Sequence, residues 1–244
     1  MRRLPLFALV ALLLIGCGGR PVTVTTPTAT VAKPPQTITL RAYFLRDGKV
    51  APVGVVVRKT PAVAAAATSA LVAGTNEPGL TNAVPATKSF QVSSAGDTVT
   101  ANLPVELSHE ALAQVVYTLT QFPNIHTAVV NGTSYTRADF EDVTPTILVE
   151  SPLPEETVRS PLHAIGTANT FEATFDYDLV GPDGTVLAHH FVTATSGSGT
   201  RGTFDFAAQF TAAQSGPGKL VVYEISAANG SRIHQVEVPV RIGS

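Results

Sequence analysis

Few residues in this 244-residue chain are equipped for chemistry, and they are scattered. His189-His190 is the most metal-like pair. Adjacent strand residues point to opposite faces, so the two rings cannot share a metal without ligands from another strand. A structural or surface role is the reading adopted. Asp176 and Asp178 share one strand face at about 7 Å, a spacing that could suit paired acids. Period-two acids opposite an apolar face also describe a solvated surface, and that reading is preferred. Ser108-His109-Glu110 strings three triad residue types together. Triads are assembled by the fold rather than by adjacency. The tripeptide reads instead as a helix start, with Ser108 as cap and Glu110 at the positive end. The single thiol, Cys17, excludes a disulfide framework and a multi-cysteine metal site. No phosphate loop, His-Glu-x-x-His helix or nucleophile elbow is present. No catalytic residue, metal or cofactor is therefore assigned, and the ligand-binding residues are left unknown.

The composition narrows the partners. Charged residues make up 14% of the chain, against about 25% in an average protein. The net charge of -2 gives no basic footprint for nucleic acid. Arg2 and Arg3 precede an apolar run from Leu4 to Ile15. A membrane span needs about 20 apolar residues, so this run is too short and has the length of a signal-peptide core. It ends in Leu14-Ile15-Gly16-Cys17. These residues resemble the lipobox of bacterial lipoproteins. The resemblance implies a signal peptide over 1–16, removed on processing, and a lipidated (palmitate-type) Cys17 as first residue of the mature chain. A plain secretory signal with an incidental Cys is the alternative. One acyl chain binds a membrane marginally and two or three bind it durably. Without Arg2 and Arg3 the chain carries 14 basic and 18 acidic residues. Attachment would then rest on lipid and not on charge. The expected location is the extracytoplasmic face of the cell membrane.

Residues 17–36 read as a tether. Arg20 to Gln36 is rich in Thr and Pro and holds too little apolar bulk for a core. Extended at about 3.1 Å per residue, it would reach roughly 50 Å.

Residues 37–143 read as a small α/β layer. Thr37 to Leu45 alternates, with Ile38, Leu40, Ala42 and Phe44 on the buried side. Arg46-Asp47-Gly48-Lys49 is a turn and Val53 to Arg58 a second strand. Thr60 and Pro61 open an Ala-rich helix that Gly74 closes. A hairpin spans Phe90 to Leu103. A helix capped by Ser108 carries Leu112, Val115, Val116, Leu119 and Phe122 on one face and is ended by Pro123. Asn124 to Val130 returns as a strand before Asn131-Gly132. Helices on one face of one sheet are expected. Leu71-Val72-Ala73-Gly74, Gly79-Leu80, Val84-Pro85, Tyr117 to Pro123 and Asn131-Gly132 resemble the GerMN (sporulation and spore germination) domain. Thr75-Asn76 stands where that pattern favours Pro, and Asn131-Gly132 where it favours Asp-Gly. The family implies an extracytoplasmic α/β module without catalytic residues.

Residues 146–244 read as an antiparallel sandwich of seven strands, placed over 147–150, 162–167, 171–179, 186–195, 204–210, 218–226 and 234–242. Ser151-Pro152, Ser160-Pro161-Leu162, Ile165-Gly166-Thr167-Ala168, Phe171-Glu172-Ala173 and Gly184-Thr185-Val186-Leu187 resemble the immunoglobulin-like domain of bacterial spore germination. The fold class is thus α+β followed by all-β, in two domains. Thr144-Pro145 and its neighbours alone join them, so limited contact and some hinge freedom are expected.

These readings converge on a non-enzymatic, lipid-anchored envelope protein whose partners are the membrane, through Cys17, and an envelope protein or wall component. A role in sporulation or germination follows from the family names alone. The alternative is a peptidoglycan- or carbohydrate-binding protein using Tyr135, Tyr177 or Tyr223, although the chain has no Trp and 7% aromatics. A hydrolase is the third reading and would need a cleft gathering His or carboxylate residues from both units. Asn131-Gly132-Thr133 and Asn229-Gly230-Ser231 match a glycosylation pattern and read as turns.

Overall fold

The structure, a computed structural model, describes residues 35–243. Cys17, the lipobox residues Leu14, Ile15 and Gly16, the signal segment and nearly all of the tether lie outside the described residues. Among the described residues no helix is long and apolar enough to cross a membrane.

The chain opens with a hairpin of β1 (Thr37–Arg46) and β2 (Lys49–Arg58). Asp47 and Gly48 turn it, both at positive φ (50° and 74°), as a tight hairpin turn requires. β2 begins earlier than expected because it accommodates Pro52, which pairs with Tyr43. Leu45 and Arg41 turn their backbone groups away from β2. By alternation Tyr43 does the same, and Pro52 opposite it faces outward, where no ladder donor is needed.

Helix α1 (Val63–Ala73) and helix α2 (His109–Leu119) follow the predicted positions. The Thr60 hydroxyl accepts the Ala62 N–H at 3.1 Å, before the first helical turn, and does not cap α1. Gly74 closes α1 at φ 83°. Ser108 caps α2, its Oγ accepting the Ala111 N–H at 3.2 Å. α2 stops at Leu119, ahead of Pro123. It is buried all round rather than amphipathic, with Gln114 and Thr118 fully enclosed.

A second sheet has the order β3 (Gln91–Ala95), β4 (Thr98–Asn102), β5 (Thr127–Val130) and β6 (Thr133–Tyr135). β4 and β5 are parallel, with α2 in the crossover between them. The single expected sheet is thus two sheets, and both helices touch both of them. A 3-10 segment, Arg137–Val143, then leads into the second module. Its first turn is fastened by the Thr136 N–H on Asp139 Oδ2 at 2.7 Å.

The second module is a sandwich. One sheet has the order β11 (Val186–Thr193), β10 (Thr174–Val180), β13 (Gly216–Ile225), β14 (Arg232–Ile242) and β8 (Thr157–Val158). The other has β12 (Gly202–Ala208), β9 (Leu162–Ala168) and β7 (Ile147–Ser151). The pairings are antiparallel except β14 with β8. That makes eight strands where seven were read, since a two-residue strand leaves no periodicity to detect. Phe171 and Ala173 fall in a 3-10 turn and not in a strand, and Phe171 is 60% exposed. Phe175, Leu179, Phe204, Leu220 and Val240 fill the space between the sheets. Each such side chain contributes about 1.5–3 kcal/mol.

From Pro35 onward the chain groups as one compact unit rather than two. β7 explains this. Ile147 and Val149 point into the sandwich core, while Leu148 belongs to the core of the α/β module. The limited contact expected at Thr144-Pro145 is therefore not observed.

Candidate functional site: the joint between the modules

The joint begins on the outer edge of β1. Gln114, Thr118 and Gln121 lie four and three residues apart on and just past α2, along one helical face. The Tyr43 N–H donates to Thr118 Oγ1 at 3.0 Å, and Gln114 Nε2 donates to the Tyr43 carbonyl at 3.0 Å. The Arg41 N–H donates to Gln121 Oε1 at 2.7 Å, and Gln121 Nε2 donates back to the Arg41 carbonyl at 2.6 Å. Leu45 exchanges two bonds of 2.9 Å with Thr81. Side chains of a helix thus replace a neighbouring strand, which satisfies the edge and leaves β1–β2 a separate sheet. The sequence signal was present as polar residues on an otherwise apolar helix.

This pairing fixes Tyr43 and Arg41 against the second module. The buried Tyr43 hydroxyl donates to Glu150 Oε1. Arg137, from the 3-10 segment, donates to the same oxygen at 2.9 Å. It also donates to Thr120 Oγ1 at 2.9 Å. Its guanidinium sits 4.6 Å from the Tyr117 ring centroid and 5.6 Å from that of Tyr43. Arg41 Nε donates to the Glu150 carbonyl at 2.9 Å. Burial by itself would raise the Glu150 carboxyl. Arg137, the Tyr43 hydroxyl and Arg41 outweigh it and hold the group below the ordinary carboxylate range. Burial, reinforced by the Glu150 charge, pushes the Tyr43 phenol far above its usual value.

A second tie flanks Thr144-Pro145. Arg201 donates to both oxygens of Glu141, at 2.7 and 2.9 Å, and to the Pro145 carbonyl at 2.9 Å. Asn169 Nδ2 adds a bond to Glu141 at 2.7 Å. Across the opposite side, Leu153 packs on the β1–β2 hairpin where Gly54 leaves room. A Cβ on Gly54 would lie 3.3 Å from Leu153 Cδ1.

A cleft of about 930 Å³ opens along the joint, lined by Gln121, Arg137, Glu150, Thr167, Thr195 and Asp205 among others. Its walls combine Thr hydroxyls with apolar Phe122, Ile125 and Ile165, and they bring His126 of the first module to the same cleft as Glu150 and Asp205 of the second. Its central charges, Arg137 and Glu150, are bonded to each other. General acid–base work wants a group titrating near the working pH. Glu150 and Tyr43 are both driven away from that range. The arrangement is built to fasten two modules.

The other predicted residues are dispersed. His189 Nδ1 lies 2.7 Å from Asp178 Oδ1, whereas His190 Nδ1 accepts the Phe191 N–H at 2.8 Å, so the rings do take separate partners. Asp176 and Asp178 share a face as expected. Asp178 is not solvated, however, being 5% exposed. Arg232 Nη2 covers it at 2.8 Å and stacks 3.8 Å from the Tyr223 ring centroid. Tyr177 and Tyr223 are buried and Tyr135 is half-buried, so the three offer no exposed platform for a sugar. His109 pairs with Asp142 at 2.9 Å, away from any triad geometry. Backbone and Ser108 hydrogen bonds at the helix start hold Glu110 below its usual value. Asn131 and Asn229 both sit in turns, with their side chains accepting the Leu103 and Ser231 N–H groups. Among the described residues no group of three or more His, Cys, Asp or Glu is placed to hold a metal.

The fold and joint define a class: a small α/β module fused to an immunoglobulin-like sandwich. Residues 41–132 match the family described as sporulation and spore germination, and residues 146–231 match the immunoglobulin-like domain of bacterial spore germination. Neither family is one of enzymes. Arg137 and Glu141 lie between the two matched stretches, in the segment that fastens them. No curated protein matches this chain.

Proposed function

We propose that the chain is a non-enzymatic, lipid-anchored protein of the cell envelope that holds a rigid two-module docking body on the extracytoplasmic face of the membrane. The observation that carries this reading is the only Cys of the chain standing directly after an apolar signal-like run, in Leu14-Ile15-Gly16-Cys17. The joint supports it: its ion pairs are turned on one another, which suits a body that presents a fixed surface. The families relate both modules to sporulation and spore germination. The partner in this reading is another envelope protein or a wall component. The test is Cys17→Ala. The native chain should enter the detergent phase on Triton X-114 partitioning and take up labelled palmitate in cells. The variant should do neither. A Cys17→Ala chain that still partitions with detergent overturns the anchor.

A further inference from the structure

The sandwich leaves the outer edge of β11 open and unguarded. The Ala194 N–H bonds to the Ala173 carbonyl, and alternation from that pair makes Val192, His190 and Ala188 the residues of β11 bonded to β10. His189, Phe191 and Thr193, which precede the register shift at Leu187 on the ladder, therefore turn their backbone groups outward. Among the described residues one of these three donors is occupied, the Phe191 N–H, capped by the preceding His190 ring at 2.8 Å. Exposed edges are normally guarded by Lys, Pro, bulges or a covering element. β10 and β11 contain no Lys, Arg or Pro, and the bulge at Leu179/Val180 lies at one end. The other edges are closed, short or guarded. β2 carries Pro52 and Arg58, β12 is bonded at Thr203 by Thr195, and β3, β6 and β8 have five, three and two residues. β14, paired with β8 only at Arg241 and Ile242, is guarded by Arg232 and by Pro239, whose carbonyl accepts the Glu155 N–H.

The chemistry beside this edge favours one kind of occupant. Phe191 is 58% exposed and Val186 55%. Phe191 faces Asp176 across β10, and the Asp176 carboxylate has no hydrogen-bond or ion-pair partner among the described residues. Exposed Asp183 stands in the turn before β11 and exposed Glu172 beyond its far end. The second module as a whole carries 5 basic and 10 acidic side chains, so a second copy would meet like charge. We propose that the outer edge of β11 is a docking strand for an extended, basic segment of a partner polypeptide. The segment adds a sixth strand to the sheet and sets a Lys or Arg over the Phe191 ring, within reach of Asp176. The proposal rests on the docking-body reading but not on the lipid anchor.

The test uses the detergent-solubilised full chain and a fluorescent eight-residue peptide of alternating Lys and Val. Anisotropy should report saturable binding, at least tenfold weaker for a Glu-Val peptide. N-methylating every peptide amide, so that neither edge of the backbone can complete a ladder, should abolish it. His189→Pro removes an outward donor and should weaken binding at least tenfold. Asp176→Asn should weaken it several-fold and flatten its salt dependence. Undiminished binding of the N-methylated peptide would mean adsorption to an acidic surface and would overturn the proposal without needing any protein variant. A chain that sediments as a dimer, and as a monomer once His189→Pro is introduced, would overturn it in favour of a second copy. Neither outcome touches the Cys17 partitioning result.

Discussion

Ile147 and Leu148 are adjacent in the chain and fully or almost fully buried, yet they belong to different hydrophobic cores. The pleat of β7 turns Ile147 into the sandwich and Leu148 into the α/β module. Glu150, two residues on, shares the side of Leu148 and meets Arg137. One strand thus carries the boundary. The Arg201–Glu141 fork then closes the link on its other flank. Two modules that read as separable in sequence are one body in three dimensions.

A shared strand should make unfolding shared. Calorimetry on the intact chain is expected to show one transition for both modules. Leu148→Ala should destabilise by about 2–4 kcal/mol while keeping that single peak, at lower temperature. Two resolved peaks in the unmodified protein would mean that the joint does not couple the modules.

Gln114 carries a different load. Its fully buried amide serves the Tyr43 carbonyl, the Ala83 N–H at 2.8 Å and Asn82 Oδ1 at 3.2 Å, the last two half-buried. Gln114→Ala strands these groups and opens a gap, for an expected loss of about 2–4 kcal/mol. Gln121→Ala, half-buried and nearer water, should cost about half as much. Urea titrations of the two variants test the ranking.

Gly166 shows why small residues in the sandwich are not interchangeable. A Cβ there would sit 2.0 Å from the Leu148 carbonyl and 2.5 Å from Phe204 Cζ. The neighbour is backbone on one side and a packed ring on the other, so neither can yield freely. Gly166→Ala should cost about 2–3 kcal/mol, seen as a fall in Tm with both modules affected.

Much of the framework was legible because it is local. The alternation in β1 and β14, the Asp47-Gly48 and Asn131-Gly132 turns and the Ser108 cap are dictated within a few residues. What escaped depends on distant partners. Asp178 read as a solvated acid because Arg232, which covers it, arrives from the far end of β14. Gln114 and Thr118 drew no reading beside the apolar stripe because the strand edge they satisfy lies early in the chain. The 3-10 segment carrying Arg137 has no apolar period long enough to register, and its worth lies in Glu150 and Glu141, whose partners span both modules.

The Tyr43–Glu150–Arg137 cluster gives stability a defined pH dependence. Glu150 titrates lower in the folded chain than in the unfolded one. Its contribution is therefore present above the unfolded value of about 4.3 and is lost as the pH falls through the lower folded value. Tyr43 is raised, so its contribution is present below about pH 10 and is lost as the pH climbs beyond it. Glu150→Gln keeps an acceptor for Tyr43 and Arg137 but strips the charge that balances the guanidinium. At pH 7 it should destabilise by about 3 kcal/mol, the scale for breaking a buried pair. It should also lose less further stability than the unmodified chain between pH 6 and about 3, so the two curves converge in acid. Tyr43→Phe should flatten the alkaline limb and, because its hydroxyl helps Arg137 to hold Glu150 low, make the acid limb shallower in part. Parallel curves at constant separation across the acid range would show that the Glu150 charge is not what fastens the joint.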